Sequence, residues 1–539
     1  MYNTIKINTE RNIYMNIPEK IALGKTYLGI ELGSTRIKAV LTDDTFSPIA
    51  GGSYSWENRF ENGVWTYSLD DIHTGIRSCY ASLAADVSEK YGAELTTFGA
   101  MGISAMMHGY MAFDKNDELL VPFRTWRNTI TAQSAAELTE LLGFNMPQRW
   151  TAAHLYQAIL NGEEHVSKIA HVTTLAVYIH YLLTGVRAAG IGEASGIFPV
   201  DRNGYDKSML DKYSALLKSK GFEQDINEVF PKVMTAGEKG AYLTEAGAAF
   251  LDPTGKLKAG VPLCPPEGDA GTGMTATNSV LPATGNVSAG TSVFSMLVLD
   301  KPMQGVYPEI DIVATPDGEP AAMVHCNNCC SEIDAWVKMF GEFAKLSGND
   351  IDVSALYELL YRNAMSADPE CGGITAYNFL SGEPAAAVEN GRPMYFRTPD
   401  SKMNLGNFMR AQLYSTIAAL KMGMDILFKN ENVTAERFTG HGGLFKVKNA
   451  AAQILADALD TEVSVMTTAG EGGAWGMALL AAYMMCGSGK TLPRWLDSEV
   501  FSAASEKTTY APDEKGKAGF ESFMERYKNG LTAQRAAAE

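Results

Sequence analysis

Residues 27–43 read YLGIELGSTRIKAVLTD, and residues 285–300 read GNVSAGTSVFSMLVLD. The first stretch is an apolar strand pattern (27–32), a turn of Gly33, Ser34 and Thr35, and a second alternating run (37–41) that ends at Asp43. The second stretch repeats this grammar, with Gly290, Thr291 and Ser292 at the turn and Asp300 at the end. In both copies the turn glycine stands 10 residues before the aspartate. Such a pair, far apart in one chain, predicts a duplicated α/β architecture in which each half offers one glycine turn to a ligand between them.

Working outward, the 539 residues are 46% hydrophobic and 20% charged, which is ample for large cores in two to four units. The formal charge of −17 argues against a nucleic-acid partner, so phosphate recognition has to be local. Residues 1–25 are polar, without a signal pattern, and are expected to be a flexible extension. The longest apolar run, 474–486, is too short for a bilayer and reads as a buried helix. A soluble, cytoplasmic protein is expected, with no membrane and no nucleic acid among its partners. The 7 cysteines are thinly spread and odd in number, as in a reducing compartment. Cys326, Cys329 and Cys330 have CxxC spacing, but no second pair completes a zinc set, so packing at a helix start is the expectation.

Helix and strand patterns alternate elsewhere. Residues 69–90 are amphipathic, 98–104 and 111–113 read as strands, and 334–345 and 408–427 read as helices. A strand and glycine turn follow at 438–443, then a helix at 449–459 and a strand at 462–466.

Phosphoryl transfer needs backbone N–H groups around phosphates, a carboxylate for Mg²⁺ and a base for the attacking hydroxyl. The two glycine turns can supply the first. Glu31 precedes the first turn and can face a metal, while its counterpart in the second hairpin is Ser288, so one copy alone carries the acid. Residues 265–274 (PPEGDAGTGM) put Asp269 in a glycine-flanked turn before a small-residue helix start. Locally this is a turn or N-cap aspartate as much as a base projecting into a cleft.

The chain resembles the FGGY family of carbohydrate kinases from about residue 27 to beyond 482. Residues 30–41 (IELGSTRIKAVL) resemble its first phosphate motif, Met107, His108 and Gly109 its MHG sugar loop, and residues 126–128 the Trp-containing segment that follows. Residues 169–185, 193–196 (EASG) and 379–384 (FLSGEP) resemble its central helix, the segment after it and its LxGE loop. Gly442 and Gly443, residues 453–457 (QILAD) and 471–480 (EGGAWGMALL) resemble the adenosine-binding turn and helices.

The resemblance implies a two-lobed, actin-like and ribonuclease-H-like fold, with a sugar lobe over 26–279 and a nucleotide lobe over 280–539, around ATP and Mg²⁺. It implies Asp269 as catalytic base, Glu31 with Asp269 at the metal, and Met107, His108, Trp126 and Arg127 at the sugar. It implies Gly33, Ser34, Thr35, Gly290, Thr291, Ser292, Gly442, Gly443 and Gln453 at the nucleotide. A homodimer is also implied. The chain departs from the family pattern where Glu31 stands for the usual aspartate, where His154 and Gln157 replace a lysine and a tryptophan, and where Arg127 and Asn128 replace Asn-Asp. The MHG loop favours a ketopentose such as xylulose. Fuculose, rhamnulose, ribulose, a polyol, or a silent regulator on the same fold are the alternatives.

Overall fold

The structure is a computed structural model that describes residues 15–466, 472–502 and 507–538. Most of the expected extension, residues 1–14, and Glu471 of the EGGAWGMALL motif lie outside these. The described end of the extension is a correction to the expected flexibility: helix α1 (Ile17–Ala22) carries a capping box between Asn16 and Glu19. Ile21 is fully buried and Lys20 pairs with Asp43 and Asp44, so this segment packs on the first lobe.

The first hairpin is β1 (Tyr27–Leu32) and β2 (Arg36–Thr42), followed by β3 (Pro48–Ser55), and β4 (Ala100–Ala105) lies parallel to β1 on its other side. Short strands β5 (Ala241–Tyr242), β6 (Pro262–Leu263) and β7 (Glu267–Gly268) complete a seven-stranded sheet. The second hairpin is β8 (Thr284–Ala289) and β9 (Val293–Val298). Its sheet adds β10 (Ile310–Ala314), β11 (Pro320–Cys326), β12 (Arg437–His441), β13 (Glu462–Met466) and β14 (Lys507–Tyr510). Here β12 is parallel to β8 and β9 is antiparallel, as β4 and β2 stand to β1. The duplication read from the two stretches is therefore real at the level of strand pairing.

One detail of that reading changes. The first turn closes over four residues, with Gly33 N–H donating to the Arg36 carbonyl at 3.0 Å, whereas in the second Gly290 N–H donates to Ser292 at 2.9 Å. The equal spacing of ten thus hides a one-residue offset: Glu31 pairs with Lys38, but Ser288 pairs with Phe294.

Helix α2 (Leu69–Tyr91) covers β3, and α3 (Asp269–Ala276) follows β7 directly. In the second half, α4 (Ser331–Leu346), α5 (Leu405–Asp425) and α6 (Ala451–Leu459) build a core with the second sheet. Helix α7 (Gly472–Cys486), though late in sequence, lies on the first sheet, where Ala474 and Met477 join the core of Tyr27 and Ala100. Glycine makes this possible: a Cβ on Gly29 would sit 2.0 Å from the Ala474 carbonyl oxygen, and one on Gly476 2.0 Å from that of Thr272. A helix late in the sequence thus packs on the sheet of the first hairpin.

Cys326, Cys329 and Cys330 are buried where β11 passes into α4. The N–H groups of Cys329 and Cys330 donate to the Thr291 and Gly290 carbonyls, each at 3.0 Å, and so clamp the second glycine turn. The FLSGEP loop folds back here, with buried Glu383 accepting from the N–H and the side-chain amide of Asn328. No helix among the described residues is long and apolar enough to cross a membrane.

Candidate active site

Asp269 is the first residue of α3, after Gly268 as N-cap. β7 pairs with β4 through Glu267–Ser104 and Gly268–Ala105, so the helix starts at the end of the first sheet. The Asp269 carboxylate accepts from its neighbour Ala270 N–H at 3.0 Å and from Met107 N–H at 3.3 Å. The MHG loop therefore holds Asp269 directly. Burial pushes its carboxyl up to about 6, against the pull of those N–H groups and of Arg149.

Glu31 faces the same space from β1. Burial, and then the like charge of Asp269, push it up to about 7, while Lys38 on β2 and the Ala474 N–H at the start of α7 oppose the rise. A Cβ on Gly473 would sit 2.4 Å from Glu31 Oε1, so the α7 terminus approaches this carboxylate closely. Two carboxyls, of which Asp269 raises Glu31, form a set of oxygen donors suited to a hard divalent cation.

These groups line a cavity of about 710 Å³. Glu31, Lys38 and Asp269 form one wall, and Asn286, Ser288 and Phe294 come from the second hairpin. Gly442, Gly443, Lys446 and Lys448, which follow β12, and Tyr510 also line it. His441 also lines it and is pushed down to about 4 by burial, so it is neutral near pH 7.

His108 is buried with a left-handed φ of 70°, a conformation that carries strain outside glycine. Its Nδ1 stands 3.5 Å from the Gly196 carbonyl and its ring stacks on Trp150 at 6.2 Å. Burial, then Arg149, hold it well below the usual histidine range. Arg149 itself is bound to Asp311 on β10 of the other sheet, where Asn145 also donates at 3.1 Å.

Of the residues expected at the site, Glu31, Asp269, Gly442 and Gly443 line the cavity, and Met107 reaches Asp269. Gly33, Ser34 and Thr35, and likewise Gly290, Thr291 and Ser292, lie at the hairpin ends outside the lining set. Gln453 turns its amide to Asp457 and to the Ala511 carbonyl, both at 2.8 Å. Arg127 stacks over Trp65 at 3.8 Å, and Trp126 packs on the first core. His154 is fully buried and stacks on Tyr110, and Gln157 accepts from Ser134 N–H. Lys38, Ser288, Phe294, Lys446 and Lys448 were not expected. The hairpin register announces Lys38 and Phe294, since each stands opposite Glu31 or Ser288.

The chain and its duplicated sheet topology are matched by known proteins. The model for the N-terminal domain of the FGGY family of carbohydrate kinases matches residues 26–273, and that for its C-terminal domain matches residues 285–485. The chain belongs to the FGGY family of carbohydrate kinases. This FGGY kinase is 24% identical to the xylulose kinase of Haemophilus influenzae over 534 residues, covering 94% of this chain and 99% of that one. A ligand-bound xylulose kinase from Lactobacillus acidophilus superposes with a TM-score of 0.76 at 16% identity, covering 95% and 100% of the two chains. A gluconate kinase from the same organism gives 0.75 at 17%, covering 95% and 99%. The FGGY kinase is thus a sugar kinase, with the two-lobed fold of these enzymes.

Proposed function

We propose that this kinase transfers the γ-phosphoryl group of ATP to a hydroxyl of a small ketose, with xylulose and other ketopentoses first among substrates, and that Asp269 takes the hydroxyl proton. The observation that carries this is the Asp269 carboxylate, fixed by the Met107 and Ala270 N–H groups at the edge of a cavity it shares with Glu31 and Lys38. A base with a carboxyl near 6 is ionised at pH 7 and still receives a proton in the transition state. Lys38 offsets charge on the phosphoryl oxygens, and Lys446 and Lys448 steer the anionic nucleotide in a chain of net charge −17. Met107 and His108 form the sugar side. Glu31 and Asp269 are the residues to hold Mg²⁺, which when bound supplies electrostatic stabilisation of the phosphoryl oxygens. The lobes are assigned as residues 26–279 for sugar and 280–539 for nucleotide, with α7 crossing between them. The seven cysteines are free, as a reducing cytoplasm keeps them, and that is the proposed location.

ADP release measured across ketopentoses, other ketoses, polyols and gluconate tests this, with Asp269→Asn as the blank. The expected result is sugar-dependent release, greatest with a ketopentose. Release no greater with any sugar than in the blank sinks the reading.

A homodimer is proposed through α4. Met339, Phe343 and Leu346 recur on one helix face, with Phe343 71% and Leu346 88% exposed, and the face continues through Trp336 and Phe408 to exposed Tyr395. A contiguous exposed apolar face of this kind marks an interaction surface on a protein. Sedimentation at micromolar concentration is expected to give a dimer that Phe343→Asp converts to monomer. A monomeric wild type discards it.

A further inference from the structure

Glu267 stands two residues before Asp269, and phosphoryl transfer as described gives it no task. It is only 2% exposed. Its carboxylate accepts from Gly192 N–H at 3.3 Å on one oxygen and from Glu193 N–H at 2.9 Å on the other. The helical turn Ile191–Ala194 is thereby capped by an acid carried on the strand that leads into the base. The neighbouring Pro266 carbonyl accepts from Gly190 N–H at 2.8 Å. Beyond this turn the chain makes two further contacts within two residues. Ser195 Oγ accepts from Ala314 N–H at 2.9 Å, on β10 of the second sheet, and the Gly196 carbonyl faces His108 Nδ1.

The room for the Glu267 carboxylate is made by glycine. A Cβ on Gly192 would lie 2.4 Å from Glu267 Oε2, with the next obstacle, the Ala314 carbonyl oxygen, at 3.2 Å. At Gly190 the distance to Glu267 Oε1 would be 2.2 Å. The acid and the two glycines fit one another as a set.

We infer that Glu267 is a positioning residue for phosphoryl transfer: its carboxyl ties the Asp269 turn to the segment that backs His108 and touches the second lobe, and so sets the base against the sugar. The inference rests on the reading of Asp269 as base. Strand pairing fixes Glu267 on one side and two backbone hydrogen bonds fix it on the other, which leaves little freedom for the intervening Gly268 and Asp269. Misplacement of a reacting group by about 1 Å costs on the order of 10²-fold in rate. Both carboxyl oxygens accept from backbone N–H groups, so an amide keeps one of the two hydrogen bonds and sets its NH2 against the other N–H.

The test uses the full chain and its best sugar. Glu267→Gln, which keeps one of the two hydrogen bonds, is expected to lose less kcat than Glu267→Ala, which lowers kcat roughly 10- to 100-fold and moves the acid limb of the pH profile. Gly192→Ala is expected to lose as much, because its methyl drives the carboxyl away. The double variant Glu267→Ala/Gly192→Ala is expected to be no worse than Glu267→Ala alone, in kcat and in melting temperature. Losses that multiply in the double variant overturn the inference, as does an Asp-to-sugar geometry so indifferent that Glu267→Ala lowers Tm and leaves kcat, KM and pH profile unchanged. Asp269→Asn run beside them separates the two ideas: turnover in that variant removes the base reading, while the coupling of Glu267 with Gly192 is read independently from the melts.

Discussion

Glu31 and Lys38 face each other across the first hairpin, and Ser288 and Phe294 face each other at the matching place in the second. All four line the cavity. One hairpin thus brings an acid and a base to the cavity, the other a hydroxyl and an aromatic ring, so the two copies of the scaffold carry different side chains at matching places. Loss of Lys38 removes the positive charge that opposes the rise of Glu31. Lys38→Met is expected to lower kcat by about 10²-fold and to shift the acid limb of kcat/KM to higher pH, since Lys38 is what holds the Glu31 carboxyl down. An unchanged pH profile would count against the pairing.

Asp269→Asn keeps the shape of the side chain and loses the ability to take a proton. A fall in kcat of roughly 10²- to 10⁴-fold is expected, with the circular dichroism spectrum retained. The melting temperature is expected to rise slightly, because a carboxylate pushed up by burial is a cost to the folded state. Turnover close to wild type would remove Asp269 from the mechanism.

The pH dependence has a definite sign. Asp269 lies near 6 and Glu31 near 7, both above the ordinary carboxylate range. Asp269 must be ionised to act as base, so kcat/KM falls as pH drops through this window, with apparent values that belong to the pair. For stability the direction is opposite. The folded state binds more protons than the unfolded chain between about pH 4 and 7, so the ligand-free protein loses this contribution as pH rises through the window. The excess of Tm at pH 5.5 over pH 7.5 should shrink in Glu31→Gln. An equal excess in both proteins would refute the assignment.

Much of this architecture was legible because hairpins are local. The alternation of residues 27–32 and 37–41 around a glycine turn fixes partners within a few residues, and the second copy repeats it. Asp269 was legible as an acid between glycines, but its hold by Met107 was not, since 162 positions separate them. The same applies to α7. Nothing local in residues 472–486 says that they lie on the first sheet; the signal was the glycine spacing, which permits close approach without naming the partner. Trp126, Arg127 and Gln453 show the converse, for each matches a motif yet spends its side chain on Trp65, the first core or Asp457. The ordered end of the extension was hidden because Ile21 is the one buried residue of a helix of only six residues.

The approach of α7 to Glu31 carries a last prediction. Glu31 is one methylene longer than an aspartate, and its carboxylate reaches the first turn of α7, where Ala474 N–H donates to it. A methyl on Gly473 would meet Glu31 Oε1 at 2.4 Å and Thr272 Oγ1 at 2.7 Å. Gly473→Ala is therefore expected to displace the carboxylate from the cavity wall and to lower kcat by about 10-fold or more, through the changed position of Glu31. Shortening the acid relieves the first of these clashes. Glu31→Asp on its own is expected to remain active, and Glu31→Asp/Gly473→Ala to recover part of the activity that Gly473→Ala loses, with the midpoint for Mg²⁺ activation following the same order. If the double variant falls below both single variants in kcat and in Mg²⁺ response, the carboxylate and the helix end are not in the contact described, and the loss at Gly473 comes from Thr272 and the packing of α3 on α7 instead.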